Sequence, residues 1–297
     1  MTQVALPTAG RDRLLDRFGP SAAAWIDDFA MLVGELCEKW AIEPQSLRAG
    51  GTGAVVECVS TTRETLYALK LSPDRAVTEQ EAAALRYWTD ARSVVDLVDV
   101  DATGSAILLE WVPESTELTV DAPGIKDVAG LIGDLYLPRG TLPADVPRAR
   151  ERVEFVFELW DRRRRTLRDS PIDTAAWRRC REAAVDMADE GDSVLHGDLH
   201  PGNILRTGNG GRIVAIDPRP CIGDPAMDLT DLAMTGAGSE ADIRHRCLQL
   251  SDFADAIEAD RLWLWCCNFA PIMAVSLARR DARPGDVTLM RTLANTR

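Results

Sequence analysis

The chain has 297 residues, of which 46% are hydrophobic and 27% are charged, and its net charge is −13. This length and composition are typical of a globular protein and exclude a disordered or fibrous chain. The acidic balance, with three lysines in the whole chain, argues against a nucleic-acid partner, because binding to phosphates along a nucleic acid needs a basic face.

The seven cysteines are scattered, with no C-x-x-C pair and no spacing typical of metal ligands. We expect them to be reduced and mostly buried, as in a cytoplasmic protein. The first nine residues lack a basic segment followed by an apolar one, so we expect no export. An uncharged stretch over 262–278 is shorter than a bilayer span and contains Asn268 and Pro271, so we predict a buried helix there and no membrane partner.

The first third of the chain changes between helical and strand patterns. Thr78, with Glu81 three residues later, predicts a capping box at the start of a helix. The predicted elements in chain order are a helix over 11–43, strands over 54–60 and 66–71, a helix over 78–88, and strands over 94–100 and 106–110.

Helical patterns dominate the rest of the chain, after a linker over 112–124 that is rich in Pro, Thr and Asp. The predicted elements are helices over 125–137, 148–169 and 174–190, strands over 194–196, 204–206 and 213–216, and helices from about 226 onward. We therefore predict an α+β protein with a small sheet-based lobe, a larger helical lobe and a cleft between them.

The strongest signal for chemistry is the run HGDLHPGNIL over 196–205, followed by IVAIDP over 213–218. Asp198 and Asn203 stand five residues apart between two predicted strands, and Asp217 ends the next strand. Phosphoryl transfer needs a base that orients the acceptor, a cation that neutralises the phosphates, and a fixed nucleotide. We predict Asp198 as the base and Asn203 and Asp217 as the metal ligands, because oxygen donors suit Mg²⁺.

The same residues carry a resemblance to known families. An Asp followed five residues later by an Asn resembles the protein-kinase catalytic loop. The string H-G-D-L-H-x-x-N with the later I-D-P resembles the aminoglycoside phosphotransferase superfamily, and residues 215–229 are similar to its streptomycin 6-phosphotransferase and hydroxyurea phosphotransferase branch. The resemblance implies a two-lobed, protein-kinase-like fold, with ATP and Mg²⁺ as cofactors. It implies a nucleotide-binding N-lobe over 1–110 and a C-lobe over 111–297 with the catalytic loop and acceptor site.

A glycine-rich turn in the N-lobe is a candidate phosphate contact. Gly51, Thr52 and Gly53 stand at a strand turn, where glycine lets backbone N–H groups approach a phosphate. A plain hairpin turn is the alternative. The run departs from G-x-G-x-x-G, because Val56 stands in place of the third glycine.

Lys70 is the second candidate nucleotide ligand, since it ends a predicted strand and matches the V-A-I-K pattern whose lysine pairs with the α- and β-phosphates. The resemblance implies that a glutamate on the next helix is its partner, and Glu81 matches that position better than Glu79. Residues 108–112 resemble the hinge, so Glu110 and Val112 are expected to bind adenine through their backbone groups.

The acids and histidines around the motif have open assignments. His196 is expected to brace the loop rather than act as the base. Asp224 and Asp228 are equally candidates for substrate ligands and for braces of the loop. Residues 217–260 contain ten acids and three bases, a net charge of −7, which would attract a cationic acceptor.

The function predicted from the sequence is ATP- and Mg²⁺-dependent phosphorylation of a hydroxyl on a small molecule, of which a streptomycin-type aminoglycoside is the first choice. The alternatives are a kinase of hydroxyurea, a peptide antibiotic or a metabolite, and a nucleotide-binding pseudokinase that acts as a scaffold. A protein kinase is disfavoured, because the H-R-D, D-F-G and A-P-E motifs are missing. The sequence predicts no oligomeric state.

Overall fold

The computed structural model describes residues 4–49, 53–113, 116–118, 125–208 and 211–296. Internal contacts divide the chain into two compact units. The first unit comprises Met1–Thr89 and Val95–Pro113, and the second comprises Asp90–Val94 and Glu114–Arg297. The functional division at residues 110 and 111 stays a prediction.

The first unit contains an antiparallel five-stranded sheet in the order β1-β2-β3-β5-β4. Its elements are α1 (Thr8–Phe18), α2 (Ala23–Trp40), β1 (Ile42–Ala49), β2 (Ala54–Ser60), β3 (Leu66–Leu71), α3 (Arg75–Tyr87), β4 (Leu97–Val100) and β5 (Ala106–Glu110). The predicted hairpin over 54–60 and 66–71 is confirmed.

The structure before β2 differs from the prediction. The single helix expected over 11–43 is divided into α1 and α2 by a 3-10 turn, Gly19–Ala22. The strand β1 was not predicted, because Pro44 and its polar neighbours hide the apolar alternation. Since β1 is an edge strand, it tolerates a proline that a central strand would exclude.

Helix α3 begins earlier than the capping box predicted. Asp74 is the N-cap, and its carboxylate accepts a hydrogen bond from the Ala76 N–H at 3.1 Å. Thr78 is buried inside the helix rather than capping it. Glu81 is also buried, and its carboxylate is bound by Lys70 instead of the start of the helix. The ion pair with Lys70 therefore uses the Glu81 carboxylate, which the local pattern had predicted to cap the helix.

The second unit is mostly helical and contains two small antiparallel sheets, with strand orders β6-β8-β9 and β10-β7. Its strands are β6 (Thr116–Glu117), β7 (Ser193–Leu195), β8 (Ile204–Arg206), β9 (Ile213–Ala215) and β10 (Cys221–Gly223). Its helices are α4 (Ala129–Leu135), α5 (Ala149–Arg165), α6 (Thr174–Ala188), α7 (Thr230–Met234), α8 (Glu240–Ser251), α9 (Ala259–Arg279) and α10 (Pro284–Leu293).

The helix predicted over 262–278 is present as α9, and most of its residues from Leu262 to Ser276 are buried. Among the described helices it is the one that is long and apolar enough, by length and composition, to cross a membrane, and 56% of its apolar window is buried in the protein. This burial is typical of a core helix. All seven cysteines are buried free thiols, as expected.

The burial pattern of β3 generates a stability prediction. Leu69 is fully buried in this strand, whereas Leu66 in the same strand is 37% exposed. We expect Leu69→Ala to lower the free energy of unfolding by about 2–5 kcal/mol, because a buried cavity adds to the lost transfer energy. Leu66→Ala is the matched control and should cost well under half as much. Urea unfolding followed by circular dichroism measures both, and equal losses would contradict the packing described.

Candidate active site

The loop between β7 and β8 is held in shape by its own hydrogen bonds. The side-chain amide of Asn203 donates from Nδ2 to the Asp198 carbonyl oxygen at 2.9 Å, and the His200 N–H donates to the same oxygen at 2.9 Å. The Asn203 N–H donates to the His200 carbonyl oxygen at 2.8 Å. Since Nδ2 of Asn203 is bound to the loop, its Oδ1 is the atom with the chemistry to ligate a cation.

The antiparallel ladder of β8 and β9 positions Asp217 relative to Asn203. Ile204 pairs with Ala215, and the Ile216 N–H donates to the Asn203 carbonyl oxygen at 2.9 Å. Asn203 directly precedes β8, and Asp217 lies just after the end of β9. The two residues therefore lie at the same end of the ladder. Asp217 has a φ of 58°, in the left-handed region that a non-glycine residue adopts at a cost of roughly 1–2 kcal/mol.

The donor set of Asn203 and Asp217 is compatible with Mg²⁺. In the described part of the chain, no three His, Cys, Asp or Glu side chains form a metal cluster. One carboxylate and one amide oxygen are insufficient for a structural zinc site, but they suit Mg²⁺, which takes most of its ligands from water and phosphate. Arg219 lies beside Asp217, with Nη2 3.0 Å from Oδ1, so a bound cation would share this carboxylate with a guanidinium.

Asp228 braces the loop from inside the second unit. Its two carboxylate oxygens accept hydrogen bonds from the His196 N–H at 2.6 Å and from the Gly197 N–H at 2.7 Å, and the Tyr136 hydroxyl donates to it at 3.2 Å. Burial raises the pKa of Asp228 to about 6, against the lowering effect of these bonds. Because its carboxylate is already bound by these groups, Asp228 braces the loop rather than acting as a substrate ligand.

Asp224 also has an internal role. Its carboxylate caps the turn Pro225–Leu229 through the Ala226 N–H at 3.0 Å. Arg261 Nε and Trp265 Nε1 each donate to it at 2.6 Å, which connects the segment after β10 to helix α9. Because Asp224 is only 6% exposed, a role as a substrate ligand is not supported.

His196 lies behind the loop, completely buried, with Nε2 3.0 Å from the Ile216 carbonyl oxygen. A carbonyl only accepts hydrogen bonds, so Nε2 carries the proton. Burial lowers the pKa of His196 to about 4 and keeps the ring neutral. The expected bracing contact of His196 is confirmed.

Gly197 is required by the backbone at this place. Its φ is +73°, and a Cβ atom would lie 1.9 Å from the Arg219 carbonyl oxygen. The Arg219 N–H donates to the His196 carbonyl oxygen at 2.8 Å, so the segment after Asp217 runs directly against the loop. No residue with a side chain could occupy position 197 without moving one of the two segments.

Asp198 has a contact that the sequence did not predict. Its side chain is 39% exposed, and Arg152 on α5 approaches Oδ1 to 3.2 Å through Nη2. Arg152 is 46 residues away in sequence and belongs to no recognised motif. A basic residue in an Arg-rich helix gives no local signal for such a contact.

In the first unit, Lys70 and Glu81 form the expected pair. Lys70 Nζ donates to both Glu81 oxygens, at 2.7 and 2.5 Å, and the Glu81 side chain is 1% exposed. Glu79 pairs with Arg75 on the surface of α3. The preference for Glu81 over Glu79 as the partner of Lys70 is confirmed, while their contact with a nucleotide stays a prediction.

The remaining residues predicted to bind the nucleotide lie in the glycine-rich turn and in the segment around Glu110. Gly51 and Thr52 lie outside the described residues. A Cβ on Gly53 would lie 2.1 Å from the Leu71 carbonyl oxygen, so the close approach of β3 is one reason for glycine there. The Glu110 N–H already donates to the Asp96 carbonyl oxygen at 2.9 Å. Val112 is buried.

The environment of His196 predicts how this ring titrates. We expect His196 to stay neutral from pH 8 down to about pH 5, because its pKa is lowered to about 4. Since the unfolded chain binds this proton at higher pH, the contribution of His196 to stability is complete above about pH 6.5 and is lost as the pH falls through 4. The raised pKa of Asp228 changes the stability with pH in the opposite direction. The titration of the His196 ring should therefore be measured directly rather than through the stability of the whole protein.

Nuclear magnetic resonance of imidazole nitrogens makes this measurement, since the chain has three histidines. Assignment by a His196→Gln variant identifies the ring. A His196 signal that titrates near pH 6.5 would contradict the buried, neutral assignment.

Comparisons with known proteins identify the family of the chain. The family model of the aminoglycoside/hydroxyurea antibiotic resistance kinases matches residues 39–281. The streptomycin 6-kinase of Streptomyces glaucescens is 33% identical over 228 residues, which are 71% of this chain and 69% of that protein. The hydroxyurea phosphotransferase of Kitasatospora aureofaciens is 32% identical over 239 residues, which are 74% of this chain and 65% of that protein.

Solved structures share the fold at low sequence identity. A choline kinase from Streptococcus pneumoniae is 12% identical with a TM-score of 0.56, covering 89% of this chain and 96% of that one. A macrolide 2'-phosphotransferase from Brachybacterium faecium is 15% identical with a TM-score of 0.54, covering 91% and 99%. The predicted protein-kinase-like fold is confirmed, and the chain is a phosphotransferase that belongs to the aminoglycoside/hydroxyurea antibiotic resistance kinase family.

Proposed function

We propose that this enzyme uses ATP and Mg²⁺ to phosphorylate a hydroxyl group of a cationic small molecule, with a streptomycin-type antibiotic as the preferred acceptor. The observation that carries the proposal is the braced loop with Asp198 at its surface and Asn203 and Asp217 at one end of the adjoining ladder. We also propose a cytoplasmic location, where ATP is abundant and the buried thiols remain reduced.

In the proposed mechanism, Asp198 accepts the proton of the acceptor hydroxyl as the hydroxyl oxygen bonds to the γ-phosphorus. The bond from that phosphorus to the bridging oxygen breaks at the same time, and ADP leaves. Asn203 and Asp217 would hold Mg²⁺, which supplies positive charge to the phosphates. Lys70 would contact the α- and β-phosphates, held by the buried carboxylate of Glu81.

The acceptor is argued from the acids that remain after structural roles are assigned. Asp231, in the first turn of α7, has its pKa raised to about 6, first by burial and further by the negative charge of Asp198, while His200 lowers it. We assign Asp231 to a guanidinium or ammonium group of the acceptor, because such a cation would favour the charged form of this acid. Hydroxyurea is the alternative acceptor, since one relative is named for its phosphorylation.

The direct test is incubation of the enzyme with MgATP and a panel that contains streptomycin, other aminoglycosides, a macrolide and hydroxyurea. We expect streptomycin to gain one phosphate by mass spectrometry. We expect Asp198→Asn to lower kcat by about 10²–10⁴, the usual contribution of a positioned base, with the fold retained. Wild-type turnover in Asp198→Asn would remove Asp198 from this role.

Product from hydroxyurea alone would reassign the acceptor and keep the kinase chemistry. No phosphorylated compound in the panel, together with no increase in streptomycin tolerance of a sensitive host, would reject the antibiotic assignment.

The nucleotide role of Lys70 has a matched control in the same unit. Lys70→Ala should raise KM for ATP and lower kcat/KM by at least about tenfold, because the phosphates lose a point charge held at a fixed place. Lys39 also forms an ion pair, with Asp101 at 2.8 Å, but its side chain is 40% exposed. Lys39→Ala should leave kcat/KM within about twofold of the wild type. Equal effects of the two substitutions would contradict the assignment of Lys70.

A further inference from the structure

Arg152 connects helix α5 to the catalytic loop by two hydrogen bonds from one guanidinium. Its Nε donates to the Gly197 carbonyl oxygen at 2.9 Å, and its Nη2 donates to Asp198 Oδ1 at 3.2 Å. The Arg152 side chain is 16% exposed, so the pair is partly shielded from water. The planar fork of arginine donates from two different nitrogens to a backbone carbonyl and to the next side chain, a fixed geometry that a single ammonium nitrogen does not provide.

Two arginines at the start of α5, the N-cap residue Arg148 and Arg150, make different contacts. Arg148 pairs with Asp192 and Arg150 pairs with Asp189, and both arginine side chains are 42% exposed. Exposed pairs of this kind contribute little to stability. Of these three arginines, Arg152 is the one that contacts the loop carrying Asp198.

The loop is therefore held from two sides at consecutive residues. Asp228 accepts the N–H groups of His196 and Gly197, and Arg152 donates to the carbonyl of Gly197 and to the carboxylate of Asp198. Asp228 fixes the backbone, but it does not touch the Asp198 side chain. Arg152 makes a contact that selects one orientation of that carboxylate, because it holds Oδ1 and leaves Oδ2 to receive a proton.

We propose that Arg152 is a positioning residue for Asp198, which fixes the carboxylate in the orientation that accepts the proton of the acceptor hydroxyl. The inference rests on the proposed function, in which Asp198 is the base. Displacement of a reacting group by about 1 Å can cost on the order of 10² in rate. Loss of Arg152 should thus appear in kcat, while nucleotide binding, which uses other residues, stays nearly unchanged.

The experiment compares Arg152→Gln, Arg152→Lys and Arg150→Gln in the full-length enzyme. We expect Arg152→Gln to lower kcat by about 10–100-fold with KM for ATP within about twofold, and Arg152→Lys to recover part of the loss through one remaining contact. Arg150→Gln removes an ion pair from the same helix without touching the loop, and should keep wild-type kcat. Thermal unfolding midpoints of the three variants verify that they fold.

A double-mutant cycle with Asp198→Asn separates positioning from a general structural effect. In the Asp198→Asn background, Arg152→Gln should lower kcat by less than about twofold, because no base remains to be positioned. Rates are followed as acceptor-dependent ADP release, with slow MgATP hydrolysis in the absence of acceptor as a second readout that does not depend on the identity of the antibiotic.

The outcomes distinguish this inference from the proposed function. Wild-type kcat in Asp198→Asn would overturn the base assignment itself. An impaired Asp198→Asn with a fully active Arg152→Gln would overturn the role of Arg152 and leave the base in place. The same loss from Arg152→Gln in both backgrounds would also overturn it, since the arginine would then act independently of Asp198.

Discussion

The buried carboxylate of Asp228 is the interaction on which the rest of the site depends. A carboxylate that is 5% exposed carries a large desolvation cost, visible as a pKa raised to about 6. Two backbone N–H groups and the Tyr136 hydroxyl offset that cost. Because the two N–H groups belong to consecutive residues, the geometry of the carboxylate fixes the peptide that leads into Asp198.

The hydrogen bonds to Asp228 also set the other contacts of the loop. Once the His196 and Gly197 N–H groups point toward Asp228, their carbonyl groups are available on other sides. The His196 carbonyl accepts from the Arg219 N–H, and the Gly197 carbonyl accepts from Arg152. The first contact holds the segment that follows Asp217, and the second brings a guanidinium to Asp198. One buried acid thus organises the surroundings of both the proposed base and a proposed metal ligand.

The sequence indicated which candidate residues lie near one another, but not which distant residues contact them. Asp198, Asn203 and Asp217 come from one motif and two short strands, so their local spacing predicted that they lie near one another, while their roles as base and metal ligands stay predictions. Arg152 lies 46 residues before Asp198 on a separate helix, and nothing in its neighbours marks it. Long-range partners of this kind are chosen by the packing of α5 against the loop, which a single sequence does not encode in any local pattern.

The errors in secondary structure have the same origin. The capping box at Thr78 failed because Glu81 forms a buried ion pair with Lys70, a contact between helix and strand that outweighs a local cap. The edge strand β1 was missed because Pro44 and polar neighbours are tolerated where one side of a strand has no partner. The hairpin of β2 and β3 was predicted correctly because its signals are local: two apolar runs and a polar turn.

The acidic segment after Asp217 shows why net charge is a weak guide to the acceptor. Asp224 is bound by Arg261 and Trp265, Asp228 holds the loop, and Glu240 pairs with Arg244 on α8. Acids committed in this way are neutralised or satisfied by the protein and offer little attraction to a bound cation. Under the proposed function, selection of a cationic acceptor would depend on a few acids that interact electrostatically with Asp198, and Asp231 is one of them. Because such an attraction acts between partly shielded charges over a short range, it would select the orientation of the acceptor hydroxyl more than the rate of encounter.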